Sequence, residues 1–345
     1  MKPQTVKPQT VKPCVTASAA CTGFIPLGEG AARSMVYRSF DLDQRNPRIT
    51  RALIMVHGTL RNADHYFQTA AAAGFLAGAL DDTLIIAPAF HSAAAPCDDK
   101  LEPDEVSWSC VGDSWRSGGA AASIPGLYSF DLTDALLKRL ADKRLFPNLK
   151  VVVIAGHSAG GQFVNRYEMA SRVADDLGVQ VRFVIANPSS YAWPAATRLI
   201  PEGVGSVEAA HEAWKDETKA QTGFAFGPFD AAKAPGYDRW PYGLEHRDSG
   251  YTVGVTDDQL RAHLVSRRAT YVLSQVDVLP LGGFDGSPDA MAQGATRRQR
   301  GEAFVDYLHT ALGGDSPAII VPECGHNDRC VFTTDAVLPV IFPAS

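Results

Sequence analysis

A serine hydroxyl attacks a carbonyl only when a base takes its proton and an acid orients that base. Gly156-His157-Ser158-Ala159-Gly160 offers such a serine where an apolar run, Val151 to Ala155, gives way to a helix-forming segment. G-x-S-x-G in that setting reads as a sharp strand-to-helix turn. Glycines two before and two after the serine remove side chains that would clash, and Gly161 extends the clearance. The hydroxyl then stands above the sheet at the start of a helix, whose free N–H groups favour developing negative charge. Ser158 is the expected nucleophile.

Acid and base should follow in chain order at the ends of later strands. Thr270 to Val276 reads as a strand with Asp277 at its end, where a carboxylate can point into the crevice. Asp285, in Gly282-Gly283-Phe284-Asp285-Gly286, is the competing acid. The last apolar run, Ala318 to Val321, leads into Pro322-Glu323-Cys324-Gly325-His326-Asn327, and of nine histidines His326 alone sits on a short loop after the final strand. The oxyanion formed on attack needs at least two N–H donors. Ala159 supplies one, and Thr59 of His57-Gly58-Thr59 is the expected second, with Leu60 the alternative. His57 reads as a structural hydrogen-bonding residue rather than a second base. H-E-x-x-H is absent, no Cys/His spacing suits zinc, and no glycine-rich phosphate loop is found, so the expected chemistry requires no metal and no cofactor.

These residues need a scaffold that brings strand ends together. Short apolar runs at Ala52 to Val56, Leu84 to Ala87, Val151 to Ala155, Val181 to Ala186, Thr270 to Ser274 and Ala318 to Val321 alternate with longer segments. The longer segments predict helices at Ala63 to Leu80, Tyr128 to Ala141, Gln162 to Leu177 and Thr296 to Leu312. The runs lack period-two alternation, as strands covered on both faces should. The pattern is that of an α/β chain with a mostly parallel central sheet flanked by helices.

Two intervals break the alternation and are long enough to carry function. Residues 91–125 are rich in Ser, Gly and Ala and hold Trp108 and Trp115. Residues 191–268 carry many aromatics, among them Trp193, Trp214 and Trp240, and read as a cap-like insertion over an active site. Trp108, Trp115 and Trp240 are the expected substrate-binding aromatics. Residues 1–30 read as a flexible tail and lead-in and residues 31–345 as the main domain, because the chain opens on a KPQTV-KPQTV-KP repeat whose prolines favour extended chain.

Length and composition agree with one large domain: 345 residues, 46% hydrophobic and 20% charged, exclude a largely disordered or coiled-coil chain. With 32 basic against 38 acidic residues the net charge is −6 and no dense basic stripe appears, so a nucleic-acid partner is not expected. The longest apolar run, Ala70 to Leu80, is about 11 residues where about 20 are needed to cross a bilayer. The six cysteines lie pairwise close, Cys14 with Cys21, Cys97 with Cys110 and Cys324 with Cys330. Three short-range disulfides and an extracellular or periplasmic location are expected, although the sequence leaves the connectivity open.

Taken in order, His57-Gly58, Gly156-His157-Ser158-Ala159-Gly160, Asp277 and Gly325-His326 resemble an α/β-hydrolase over about Ala52 to Phe342. More narrowly, Gly156 to Tyr167, Asn187-Pro188-Ser189-Ser190, Trp240 to Leu244, Met291 to Gly294 and Arg297 to Gly301 are similar to a loosely characterised group of fungal and bacterial α/β-hydrolases, mostly secreted. The resemblance implies a serine-hydrolase fold and triad and names no substrate. The expected activity is hydrolysis of a small-molecule or polymeric ester, aromatic or polyester-like. The alternatives are a peptidase or amidase, a carbon–carbon (diketone) hydrolase with the same triad, and a non-catalytic binding protein on this scaffold.

Overall fold

Each of the six apolar runs becomes a strand of one eight-stranded sheet, where burial on both faces explains their lack of alternation. The computed structural model describes residues 12–200, 208, 209, 212, 218–247 and 250–344. The KPQTV repeat up to residue 11 and Trp214 lie outside the described residues. In chain order the strands are β1 (Thr22–Pro26), β2 (Arg33–Arg38), β3 (Arg51–Val56), β4 (Thr83–Pro88), β5 (Val151–His157) and β6 (Gln180–Ala186), then β7 (Thr197–Ile200), β8 (Ala225–Pro228), β9 (Arg268–Ser274) and β10 (Ala318–Val321). The main sheet runs β1-β2-β4-β3-β5-β6-β9-β10, while β7 and β8 form a separate antiparallel pair. All pairings from β4 to β10 are parallel, and β1 and β2 are antiparallel at one edge. Thr22–Pro26 falls within the segment expected to be a flexible lead-in; it is instead an edge strand, with Ile25 and Leu27 in the core.

The parallel arrangement matters for function because it sends the carboxyl ends of β5, β9 and β10 to one edge of the sheet. Ser158, Asp277 and His326 follow those three strands. Successive residues of β3 feed opposite layers: Ala52, Ile54 and Val56 face one core cluster, Leu53 and Met55 the other.

The helices are α1 (Ala63–Leu76), α2 (Ser129–Ala141), α3 (Ala159–Ala170), α4 (Asp257–Ser266), α5 (Pro288–Met291), α6 (Arg297–Tyr307), α7 (Asp328–Phe332) and α8 (Leu338–Ile341). Several differ from expectation: α1 ends at Leu76 rather than Leu80, and α6 gives way after Tyr307 to a π-helical turn over Leu308–Leu312. The helix expected to reach Leu177 stops at Ala170, where the Arg267 guanidinium takes the carbonyls of Glu168 and Ser171 that a further turn would use. Helix α4 lies inside the interval read as a cap-like insertion, and its start is a capping box of Thr256 and Gln259.

Helix α6 is polar in sequence and buried along its whole length. Its arginines are held by acceptors rather than water. Arg298 pairs with Glu302 at 2.9 Å and donates to Gln275 O, while Arg300 donates to the carbonyls of Gly294, Ser189 and Asp285. With Arg297, described below, they tie down the loops beyond β6 and β9.

Candidate active site

Ser158 occupies the turn between β5 and α3 with φ +59°, a left-handed conformation costly for a side chain with a Cβ. Two glycines make the turn possible. A Cβ on Gly156 would stand 2.3 Å from Gly160 O, and one on Gly160 would stand 2.3 Å from Val56 O. The Ser158 amide donates to Ala186 O at 3.0 Å, tying the turn to β6.

His326 closes the site from β10. Its Nε2 lies 2.9 Å from Ser158 Oγ, and its Nδ1 lies 2.7 Å from Asp277 Oδ2. With Nδ1–H donating to the carboxylate, Nε2 is left to accept from the serine hydroxyl. Asp277 is 2% exposed, and its other oxygen accepts from Arg297 Nη1 at 3.2 Å. Asp285 is placed elsewhere: its carboxylate accepts from Tyr242 Oη at 2.8 Å and from the Ser287 amide at 3.1 Å. Burial works to raise the Asp285 pKa, but the hydrogen bonds from Ser287 and Tyr242 outweigh it and hold the group below its ordinary value.

The expected oxyanion donors flank the serine. Ala159 is the first residue of α3, and Thr59 lines the Ser158 pocket with Gly58, while Leu60 is a largely exposed rim residue. His57 has the structural setting expected of it. Its Nδ1–H donates to Gly58 O at 2.8 Å, the Phe90 amide donates to its Nε2 at 3.2 Å, and burial lowers its pKa to about 3. A neutral imidazole bonded on both nitrogens cannot serve as a base.

Two of the three expected substrate-binding tryptophans, Trp108 and Trp115, are core residues. Trp108 and Trp115 are 0% and 1% exposed and pack with Phe90, with ring centroids 5.5 and 4.9 Å apart. Each is large enough that the irregular 91–125 interval uses it to enter the core, so neither lines the Ser158 pocket. Trp240 is half-buried, donates to Ser117 O at 2.8 Å and lines a neighbouring cleft instead.

Several residues outside the expected set position the site. Arg297 Nε donates to Ser189 Oγ at 2.7 Å, and its Nη2 donates to Leu281 O and Gly282 O, so one guanidinium joins Asp277 to the loop that touches His326. Asn187 exchanges two hydrogen bonds with Ser274, pinning the end of β6 to the end of β9. His157 packs on His326 with ring centroids 4.5 Å apart, and Tyr66 Oη lies 3.2 Å from its Nδ1. Burial, and then the neighbouring His326 and Arg297, push the His157 pKa well down, so it meets His326 as a neutral ring. Asp328 accepts from Thr69 at 2.8 Å and lies 3.1 Å from His65 Nε2, which anchors α7, just beyond His326, to α1. The motif G-x-S-x-G pointed at none of these partners, since each comes from a distant part of the chain.

The pocket above Ser158 is about 380 Å³ and is lined by Thr59, His65, Tyr66, His157, Gly283 and His326 among others. Among the described residues no group of three or more His, Cys, Asp or Glu side chains is placed to hold a metal ion. The cysteines pair as Cys14–Cys21, Cys97–Cys110 and Cys324–Cys330, the last bracketing His326.

No family model matches the chain, and no curated protein matches it in sequence. Solved structures do match in shape. A poly(aspartic acid) hydrolase-1 from Sphingomonas sp. KT-1 has 19% identity over 93% of this chain and 98% of its own, with a TM-score of 0.59. A poly(3-hydroxybutyrate) depolymerase from Bordetella parapertussis has 18% identity over 93% of this chain and 94% of its own, with a TM-score of 0.58. The chain has the α/β-hydrolase fold. Within that fold, Ser158 follows the central parallel strand β5, and Asp277 and His326 follow β9 and β10 towards one edge of the sheet.

Proposed function

We propose that the protein is a serine hydrolase of carboxylic esters, with Ser158 as nucleophile, His326 as base and Asp277 as the acid that orients it. The observation that carries this reading is His326 at hydrogen-bond distance from both Ser158 and Asp277. His326 Nε2 takes the hydroxyl proton as Oγ bonds to the ester carbonyl carbon. The amides of Ala159 and Thr59 stabilise the oxyanion. The carbon–alkoxide bond then breaks, His326 returns the proton to the leaving alcohol, and an acyl-enzyme remains. Water repeats the sequence and releases the acid and free Ser158. Asp277 keeps Nδ1–H directed away from the serine and stabilises the imidazolium at each step.

A polymeric ester is the favoured substrate class, supported by the name of the poly(3-hydroxybutyrate) depolymerase that shares the shape; poly(aspartic acid) is a polyamide, so the name of the other neighbour supports a polymer but not an ester. The 191–268 interval acts in this reading as a cap on the main domain, since it supplies Trp240, Tyr242 and His246 to the cleft beside the catalytic pocket. Three disulfides favour an oxidising location, extracellular or periplasmic. An organophosphonate fluorophore tests the nucleophile, and a panel of p-nitrophenyl esters beside peptide and diketone substrates tests the bond cleaved. Covalent labelling of Ser158 with turnover of esters is expected. Failure to label it favours a binding module on this fold, and faster turnover of peptides or diketones moves the reaction class.

A further inference from the structure

A second histidine–carboxylate pair lines the catalytic pocket and takes no part in the steps above. His65 stands in the first turn of α1, and its Nε2 lies 3.1 Å from each oxygen of Asp328. Thr69, one turn further along α1, donates its hydroxyl to Asp328 Oδ2 at 2.8 Å, and the His65 ring meets the Tyr66 ring edge-on with centroids 5.8 Å apart. The imidazole is therefore held in place before any ligand arrives. His65 and Asp328 share the space of about 380 Å³ with Ser158 and His326, so a group bound there is carried only a few bonds from the reacting carbonyl.

A carboxylate oxygen offers lone pairs alone, so the ring proton of His65 stays on Nε2, and Nδ1 of the neutral ring is left as an acceptor. Asp328 polarises the ring through that Nε2–H, which makes Nδ1 a stronger acceptor. Among the described residues no group donates to Nδ1, and it is not one of the buried polar atoms, so a ligand can reach it. The other ring nitrogens of the pocket are already engaged or closed off. His326 uses both of its own with Ser158 and Asp277, and His157 has Tyr66 Oη at its Nδ1 while its Nε2 is buried. Asn62 Oδ1 also lacks a partner but is buried. Much of the remaining wall is Gly58, Leu60, Gly282, Gly283 and the Tyr66 ring, so an open acceptor there discriminates between substrates that carry a donor and those that do not. A latch for α7 needs only Nε2 and leaves the open Nδ1 without a purpose.

We propose that His65 Nδ1 accepts a hydrogen bond from a free hydroxyl of the substrate, held a few bonds from the scissile ester. The inference rests on the ester-hydrolase reading and adds to it a substrate class: esters of hydroxy acids or partial esters of diols, which differ in whether the hydroxyl rides on the acyl or the alcohol side. Two pairs of substrates separate the sides, each setting a hydroxyl against its methyl ether, which keeps the oxygen and loses the donor. They are methyl 3-hydroxybutyrate with methyl 3-methoxybutyrate, and 2-hydroxyethyl butyrate with 2-methoxyethyl butyrate. In at least one pair the hydroxyl compound should have the higher kcat/KM by about fivefold, the worth of one net hydrogen bond, and the pair that shows the gap names the side. Two variants then divide acceptor from latch. In His65→Gln the amide can still donate to Asp328 from the place of Nε2 but offers nothing at Nδ1, so the preference should collapse towards unity. In His65→Asn the amide stands near the place of Nδ1 and away from Asp328, so part of the preference should survive. No preference in either pair, a preference that persists in His65→Gln with native circular dichroism, or one lost equally in both variants would overturn the proposal. Binding of the same esters to Ser158→Ala protein, read by saturation-transfer NMR with and without His65→Gln, decides the site independently of turnover. If no ester is hydrolysed while the hydroxyl compound still binds better through His65, the reaction class fails and the hydroxyl site stands; equal binding within both pairs removes the site whatever the chemistry.

Discussion

Ser158 and His326 meet across 2.9 Å, yet the two sides of that contact are held in different ways. On the serine side every residue of α3 is buried, and backbone packs on backbone so closely that Gly156 and Gly160 have no room for a methyl group. On the histidine side the loop after β10 is partly exposed and is held by cross-links: the Cys324–Cys330 disulfide, the Gln275 side chain accepting from the Glu323 amide at 2.9 Å, and Asp328 bonded to α1. Ser158, the proposed nucleophile, is fixed by close packing, which tolerates no added volume. His326, the proposed base, is fixed by discrete bonds, which can be removed one at a time.

The largest effect should come from the contact itself. Ser158→Ala should lower esterase activity on the order of 10⁴-fold or more with the fold retained, because the nucleophile is lost and the turn accepts alanine. More than a tenth of the activity in well-folded protein would remove Ser158 from its role. Next, Asp277→Asn should be damaging on a similar order, since an amide cannot stabilise the imidazolium and favours the wrong tautomer. Asp285→Asn should cost far less, because that carboxylate faces Tyr242 and Ser287. The reverse ranking in kcat would make Asp285 the acid.

The comparison of the two sides is sharpest at their glycines. Gly160→Ala places a Cβ 2.3 Å from Val56 O and 2.7 Å from His57 O, backbone atoms that cannot swing aside, so a loss of about 3 kcal/mol or failure to fold is expected. Gly325→Ala meets nothing nearer than Val276 Cγ2 at 4.0 Å and should change stability by about 0.5 kcal/mol or less. Similar denaturation midpoints for the two variants would break the distinction.

A smaller effect separates the sides by pH. Glu168 lies inside α3, and burial raises its pKa from 4.5 to about 8 against the partial offset of the Tyr271 hydroxyl bond. Between those values the folded protein keeps a proton that the unfolded chain has lost, so this group's contribution to stability declines as pH rises from about 4.5 to about 8. Glu168→Gln should therefore flatten the fall in Tm across that window, and an unchanged slope in thermal melts would remove Glu168 as its source. Smallest of all, opening Cys324–Cys330 releases a short loop worth a modest entropy of about 2 kcal/mol, so activity should fall several-fold before circular dichroism changes. Thiol titration should find no free thiol from this pair before reduction; both thiols free, or activity indifferent to their replacement by serine, would show that the base needs no such tether.

The six parallel strands and the serine turn were legible because each is written locally: an unbroken apolar run needs cover on both faces, and glycines spaced around a serine fit one kind of turn. The antiparallel edge of β1 and β2 was missed since Thr22–Pro26 is short and mixed in polarity, and its place comes from pairing with Arg33–Arg38. The tryptophans of the 91–125 interval misled because composition cannot say which way a ring points. Helix α6 was readable as a helix, but its three arginines look like a solvated face until their acceptors, scattered from Ser189 to Asp285, are brought beside them.

The sequence by itself determined the strand ends that carry Ser158, Asp277 and His326, their order in the chain and the pairwise closeness of the cysteines, because these depend on neighbours a few residues away. Tertiary structure decided which of two aspartates reaches His326, since Asp277 and Asp285 both follow β9 and differ only in what surrounds them: Arg297 and His326 for one, Tyr242 and Ser287 for the other. It also placed His65 and Asp328 together, 263 residues apart in the chain, in a pocket that neither segment forms alone. Contacts of that kind arise when the whole core closes, and a short-range pattern carries no record of them.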